Sequence, residues 1–367
     1  MNRPLRILHV FSTFKVGGPQ VRFAELAKGF GSRFSHTVIA MDGNYDAARH
    51  LPPGADIVLG GPVNAGGSLL ERLWRYRRDI AVRAPDLLVT YNWGAIEWVM
   101  ANAVLGTPHI HVEDGFGPEE ADRQIPRRVW TRRLALHRSH VIVPSLVLKD
   151  MALKVWKLAP ERVHYIPNGI EPCDRYSTPI DELGLDLPGG LPRIAWAGAL
   201  RREKNLVRLL RAFAPLKNEA VLLIIGDGPE HGAVLREAER LSLSSSIRLL
   251  GRREDVRDIL MQCDILALSS DTEQMPLAVL EGMDAGLPVV ATRVGDVEHM
   301  VAGENRPYVV NGSDSELGAA MRALVVDATG RKEIGAKNRQ RMRQIYSARD
   351  MIASYQALFL ETAGSRD

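Results

Sequence analysis

Residues 265–286 read ILALSSDTEQMPLAVLEGMDAG. The opening ILAL is a continuous apolar run without polar alternation, the mark of a strand buried on both faces of a parallel sheet. SSDTEQM is polar and turn-forming. Pro276 suits the first turn of a helix, where its missing N–H costs nothing, and PLAVLEGMDAG continues as a helix ending near Gly286. Strand, loop and helix in this order put the loop beyond the carboxyl end of a parallel strand, where open α/β sheets hold their ligands. Two carboxylates, Glu273 and Glu281, stand eight residues apart across the joint. The N–H groups around Leu277, Ala278 and Val279 lack helical partners and would hold a phosphate. Glu281, about one turn further in at ~1.5 Å of rise per residue, would reach a polar group beside it, such as a ribose diol. Glu273, outside the helix, would bind the hydroxyls of whatever the phosphate carries. Two solvated surface carboxylates would show the same spacing.

The strand–helix alternation runs outward through the whole chain. RILHVFS, HTVIAMD, ADIVLG, DLLVTYN, PHIHVED and SHVIVPS are strand candidates of the first half. RIAWAGAL, AVLLIIGDG, IRLLGR, CDILALSS, LPVVATR and RPYVVN are those of the second. Amphipathic stretches such as PQVRFAELAKGF, LLERLWRYRRDIAVRA and GAVLREAERL fall between them. Such alternation predicts two doubly wound α/β domains in tandem, with a ligand cleft where they face each other. The predicted order is an N-terminal domain over residues 1–170, a Pro- and Gly-containing linker over 171–190, a second domain over 191–345, and a C-terminal helix over 346–367 crossing back to the first; the stretch RQIYSARDMIASYQALFLETA (343–363) reads as the amphipathic helix there.

The chain has 367 residues, enough for two domains with separate cores. Its 47 basic and 44 acidic residues leave a net charge of +3, which argues against wholesale nucleic-acid binding. Cys173 and Cys263 have no CxxC partner and no ligand cluster near them, so no metal site is expected and a reducing, cytoplasmic setting fits best. The N-terminal apolar run is too short to span a membrane and lacks a cleavage pattern. Gly17 and Gly18 follow the first strand, where glycine lets backbone approach a ligand. Neither they nor GDGPEHG at 226–232 form GxGxxG, so the nicotinamide-dinucleotide fingerprint is absent and a dehydrogenase is disfavoured.

The stretch SSDTEQMPLAVLEGMDAGLPVVAT, residues 269–292, resembles the signature of glycosyltransferase family 4, the retaining GT-B enzymes: Glu, seven residues, Glu, a small-residue helix end, then G-x-P-V-V-A-T. GGPQVRFAELA (17–27), VHYIPNGIEP (163–172), WAGALRREKNLVRLLRAF (196–213), LLIIGDGPE (222–230) and LLGRREDVRDILMQCDILALSS (249–270) resemble further segments in family order, so the likeness covers nearly the whole chain. It implies a GT-B fold of two Rossmann-like domains, and a nucleotide-diphosphate sugar as co-substrate with no cofactor or metal. The implied reaction transfers a hexosyl group to a hydroxyl of a glycan or lipid-linked acceptor in surface polysaccharide, lipopolysaccharide or glycolipid synthesis. By the same likeness Glu273 binds donor-sugar hydroxyls and Glu281 the ribose. Met275, Leu277 and Ala278 line the donor with Gly17 and Gly18, and Lys204 with an arginine of its loop neutralises the departing diphosphate, the task preorganised cations perform. The sequence departs from the pattern twice. Ala199 stands where the usual arginine does, and Arg201, before Arg202, is expected to replace it. The usual N-domain histidine position holds Asp114, leaving His111, Glu113 and Asp114 as candidates there, each with a plain structural reading beside it. A sugar-nucleotide epimerase or a non-catalytic nucleotide-sugar-binding protein on the same scaffold stays open as an alternative.

Two stretches are basic and carry tryptophan: residues 72–83 with five arginines and one aspartate, and 122–138 with six and one. Basic aromatic helices suit an anionic membrane surface, and arginine-rich helix faces also simply cover a core. The expectation is a cytoplasmic protein with peripheral contact to the inner face of the cytoplasmic membrane.

Overall fold

The computed structural model describes residues 3–61, 63, 66–116, 118–120, 123–173, 180–185 and 189–364, without the side chains of 118, 180 and 181. Parts of the expected linker (174–179 and 186–188), Asp122 of the second basic stretch and the last three residues of the expected final helix lie outside them.

The chain divides into two compact units, residues 1–168 with 348–367, and 169–347. In the first unit the strands are β1 (Leu5–Phe11), β2 (Phe34–Ala40), β3 (Ile57–Leu59), β4 (Leu87–Tyr91), β5 (His109–Val112), β6 (His140–Val143) and β7 (Val163–Tyr165). They pair in parallel in the order β3-β2-β1-β4-β5-β6-β7. The order reverses between β1 and β4, the switch point at which such sheets bind ligands. One sheet face packs the helices Gly18–Phe30 and Ala348–Gly364 through a phenylalanine-rich cluster that includes Phe23, Phe30, Phe34 and Phe359. The other face carries Leu69–Arg83, Ile96–Asn102, Pro126–Ala135 and Leu146–Lys154. Ser68 and Glu71 form a reciprocal capping box that starts the first of these helices.

In the second unit the strands are β8 (Arg193–Ala197), β9 (Val221–Ile225), β10 (Ile247–Gly251), β11 (Ile265–Leu268), β12 (Val289–Thr292) and β13 (Val309–Val310). They pair in parallel in the order β10-β9-β8-β11-β12-β13, with the reversal between β8 and β11. Apolar clusters fill both faces of this sheet.

Two features differ from the sequence reading. VHY at 163–165 is a strand, three residues long at the sheet edge, too short to show a pattern. The stretch RQIYSARDMIASYQALFLETA is not one helix. Ala328–Ile345 ends at Tyr346 (φ −119°, ψ 39°), and a new helix starts at Ala348. Tyr346 is buried in the second unit and its carbonyl accepts from Ile170 N at 3.0 Å, while Tyr355 and Phe359 bury themselves in the first. Two cores draw on one amphipathic stretch, and the helix breaks where the chain passes from one to the other.

Candidate active site

The loop after β11 is held from two sides. The loop after β8 supplies one clamp: Ser269 Oγ donates to Lys204 O at 2.9 Å, Asp271 N to Glu203 O at 2.8 Å, and Arg208 pairs with Asp271 at 2.6 Å. Asn205, left-handed at φ 44°, caps the helix Leu206–Phe213 through its side-chain oxygen while its amide nitrogen donates to Asp271. The end of β12 supplies the other clamp. Thr292 Oγ1 donates to Ser270 O at 2.6 Å and Asp296 N to Gln274 O at 2.8 Å. Gly295, at φ +49°, lies so close that a Cβ there would stand 2.4 Å from Glu273 O and 2.5 Å from Gln274 O. Only glycine meets both demands.

This clamping brings together two residues that are 69 apart in sequence. Lys204 Nζ donates to Glu273 Oε1 at 2.5 Å, and Ser270 Oγ donates to the same oxygen at 2.8 Å. The pair is partly open, with 24% of the lysine and 10% of the glutamate side chain accessible. Arg201 and Arg202 are exposed on the same loop, and neither has an ion-pair partner among the described residues. Ala199 is exposed beside them. GDGP at 226–229 has a packing role: a Cβ on Gly226 would fall 1.8 Å from Gly198 O and one on Gly228 2.5 Å from Leu200 O, so these glycines let β9 support the loop after β8.

The helix after the loop runs Leu277–Asp284, with Gly286 at φ +78° just past its end. Pro276 is its cap, one position earlier than the sequence implied, and its carbonyl accepts from Val279 N at 3.1 Å. That bond removes Val279 from the expected phosphate donors. The N–H groups of Leu277 and Ala278 remain, on half-exposed residues. Met275 sends its side chain into the core and offers the loop surface only backbone. Glu281 is half-buried, with no hydrogen bond to its carboxylate among the described residues. Burial pushes that carboxyl above the usual range, with Arg257 pulling it down and Asp284 pushing it further up.

In the first unit, Gly17 caps the helix Gly18–Phe30 in extended backbone (φ −168°), which any residue adopts; a Cβ there would meet Gln20 at 2.9 Å, whereas Gly18 faces open space. His111 and Glu113 are sealed inside. His111 Nδ1 and His109 Nε2 both meet Thr90 Oγ1, at 2.8 and 2.9 Å. Glu113 accepts from the fully buried Arg132, which also holds Glu120 with two nitrogens and stacks between Trp93, Phe116 and Trp156. These contacts hold both residues in the core, although Glu113 Oε1 and His111 Nε2 have no hydrogen-bond partner among the described residues. Asp114 is the half-exposed member of the three. It takes a bidentate bond from Arg22, at 2.5 and 2.8 Å, and its backbone N–H donates to Asn92, itself at φ +56° at the end of β4. The sequence reading singled out none of Arg22, Asn92, Thr292 or Gly295, each of which acts on a residue distant along the chain, nor Ser270, whose partner Glu273 is three residues on. Among the described residues no three His, Cys, Asp or Glu side chains gather as a metal site.

Two Rossmann-like units, with a cation–carboxylate pair at the carboxyl edge of the second sheet, define the GT-B class. The structure superimposes on Anabaena Alr3699/HepE in complex with UDP and glucose with a TM-score of 0.82 over 97% of this chain and all of that one, at 18% identity. Residues 16–173 match Glycosyltransferase Family 4 and residues 191–327 match Glycosyl transferases group 1; the chain belongs to this family. N-acetyl-alpha-D-glucosaminyl L-malate synthase of Bacillus anthracis is 27% identical over 165 residues, 44% of this chain and 43% of that protein. The lipopolysaccharide core biosynthesis glycosyltransferase LpsD of Rhizobium meliloti is 26% identical over 215 residues, 58% of this chain and 62% of that protein. The chain thus spans less than two thirds of the length of either curated relative.

Proposed function

We propose that this protein is a retaining glycosyltransferase that moves a hexosyl group from a nucleoside-diphosphate sugar to a hydroxyl of a glycan or lipid-linked acceptor, in the building of a surface polysaccharide, lipopolysaccharide or glycolipid. The Lys204–Glu273 pair beside the two free N–H groups of Leu277 and Ala278 carries this reading. The N–H groups and Lys204, with Arg201, stabilise the diphosphate as it accumulates charge. Glu273, freed from Lys204 when the phosphates bind, accepts from hydroxyls of the donor sugar. Glu281 accepts from the ribose, and its raised carboxyl suits a site that gains hydrogen bonds when the nucleotide arrives. The bond from the anomeric carbon to the phosphate oxygen breaks. The acceptor oxygen bonds to that carbon on the same face, and its proton passes to the departing diphosphate. Charge is supplied by Lys204 and Arg201, so the step needs no metal. Gly17, Gly18 and Asp114, at the ends of β1 and β5, are kept as substrate contacts of the first unit. The UDP held by the Anabaena structure makes UDP the first diphosphate to try, and the protein would work at the cytoplasmic face of a membrane that presents the acceptor.

The test is a thermal-shift series with UDP, GDP and ADP, and CMP as the monophosphate control, on the full chain and on Glu281→Ala. A diphosphate at ~100-fold excess over Kd adds about 2.7 kcal/mol to the folded state. One diphosphate should raise Tm, and Glu281→Ala should lose the rise. If no nucleotide shifts the melting point, the donor site is wrong. If a nucleotide binds but Glu273→Gln and Lys204→Ala keep full transfer, the assigned chemistry is wrong.

A further inference from the structure

Two helices of the first unit carry large apolar side chains on the side away from the core. A helix packed on a sheet normally turns its apolar stripe inward. Leu69–Arg83 does bury Tyr76 and Ile80, yet Leu70 is 78% and Trp74 62% exposed. Pro126–Ala135 leaves Trp130 59% and Leu134 67% exposed. Each outer tryptophan is covered by a guanidinium of its own helix: Arg78 lies 5.7 Å from the Trp74 ring and Arg133 5.2 Å from the Trp130 ring. Both helices pack on the same neighbour, Ile96–Asn102, and just beyond that helix Val104 is 67% exposed.

Charge is sorted across the same elements. The carboxylates are engaged within the fold: Glu71 in its capping box, Glu97 with Arg72, Asp79 with Arg83, Glu119 with Arg128, and Glu120 with Arg128 and Arg132. Arg132, counted from sequence among the surface cations, is fully buried. Six arginines remain exposed with no ion-pair partner among the described residues: Arg77, Arg78, Arg123, Arg127, Arg133 and Arg138. The outer surface of these helices is therefore mainly cationic and aromatic: Asp79, Glu97, Glu119 and Glu120 are paired with arginines, and Glu71 is held by its capping box.

We propose that this face docks on an anionic phospholipid surface. Indole rings sit at headgroup depth, one end apolar and the other wet, and guanidinium groups pair with lipid phosphates while remaining stacked on the rings. Two exposed tryptophans with six cations match the two signals that stable peripheral attachment requires, apolar insertion and charge attraction. The proposal rests on the reading above that the acceptor is presented at a membrane, but its test uses neither donor nor acceptor.

The full chain is sedimented with vesicles of phosphatidylcholine alone and of phosphatidylcholine with phosphatidylglycerol, at low and high salt. The expected result is binding to the anionic vesicles only, weakened by salt. Replacing both Trp74 and Trp130 by Ser should lower partitioning about tenfold or more, as should Arg77→Gln, Arg78→Gln, Arg127→Gln and Arg133→Gln combined. Val326→Ser, an exposed residue of the second unit, should leave it unchanged. Melting curves confirm that each variant is folded. The proposal is overturned if the full chain stays in the supernatant, if it binds neutral vesicles equally, or if the tryptophan variant binds as well as the parent. Equal displacement by single-stranded DNA of parent and tryptophan variant alike would also overturn it, in favour of a general polyanion surface. Loss of nucleotide binding with vesicle binding intact would sink the catalytic reading and leave this one standing.

Discussion

Acid should open the first unit before the second, and the reason is a pair of buried imidazoles. His9 Nε2 lies 3.0 Å from His36 Nδ1, and His9 Nδ1 lies 3.1 Å from the Tyr91 hydroxyl. Phe23 and Phe30 pack around them, and both histidines are about 1% exposed. Burial drives His36 down to about 4, with Asp56 pulling weakly the other way, and drives His9 well below its ordinary value, with His36 pushing in the same direction. Burial also holds His109 well below the ordinary range. The folded unit thus keeps these rings neutral while the unfolded chain protonates them near pH 6.5. The stability they permit is whole above that pH and is lost as pH falls toward the folded value. For His36 alone, moving from 6.5 to about 4 costs about 2 kcal/mol at pH 5. That is a large share of the 5–15 kcal/mol typical of a domain. Asp86 and Glu237, held at about 2 by arginines, act in a lower window, so they do not confuse the result. Urea titrations at half-unit steps from pH 7.5 to 5 should show two transitions. The one reporting the first unit should weaken steeply below pH 6.5, and His36→Gln should flatten its slope by close to 1.4 kcal/mol per pH unit near pH 5. An equal slope in parent and variant, or a first transition that ignores pH in this range, would refute the reasoning.

Gly295→Ala should disrupt the loop after β11: a Cβ has no room against Glu273 O and the residue is at φ +49°, so a loss of about 1–3 kcal/mol in the second transition is expected, and, on the proposed function, loss of the nucleotide-induced Tm shift, by urea and thermal melts. Phe359→Ala should cost about 3–5 kcal/mol in the first transition, since the ring is fully buried between His9, Phe30 and Tyr355. The second transition should not move. Arg201→Ala should lower kcat more than Arg202→Ala in a donor-hydrolysis or transfer assay; an equal or smaller loss in Arg201→Ala would refute its assignment over Arg202, and no loss in either would mean that neither arginine is placed on the diphosphate.

Much of the architecture is legible locally. Among the described residues, twelve of the thirteen strands fall within stretches that stand out along the chain as mainly apolar and β-forming, because strands of a parallel sheet are buried on both faces. β7 escapes because Val163 is its one aliphatic residue, so no apolar run marks it. The break at Tyr346 escapes because helix propensity and periodicity continue through it, and only the competition of two cores ends the helix. At the site, Glu273 and Glu281 stand out by their place around a strand end, and Lys204 only through the resemblance to the family. The same local reading put Pro276 and Val279 one step wrong, since a cap position depends on backbone angles rather than residue type.

What the sequence by itself determined is the order of strands and helices, hence two doubly wound units and the loops on which ligands must sit. These follow from short-range rules: which side chains are apolar, at what period, and where proline and glycine interrupt them. What only the tertiary structure decided is which charges are free. Glu113, His111 and Arg132 look like surface or cleft candidates along the chain, and they are buried because Glu120, Thr90 and an aromatic box meet them there. Lys204 and Glu273 look like two loop charges, and they form one site because Ser269, Asp271 and Gly295 lock their loops together. The free energy of a charge depends on the groups within a few ångströms of it, and those groups come from parts of the chain that no local pattern relates.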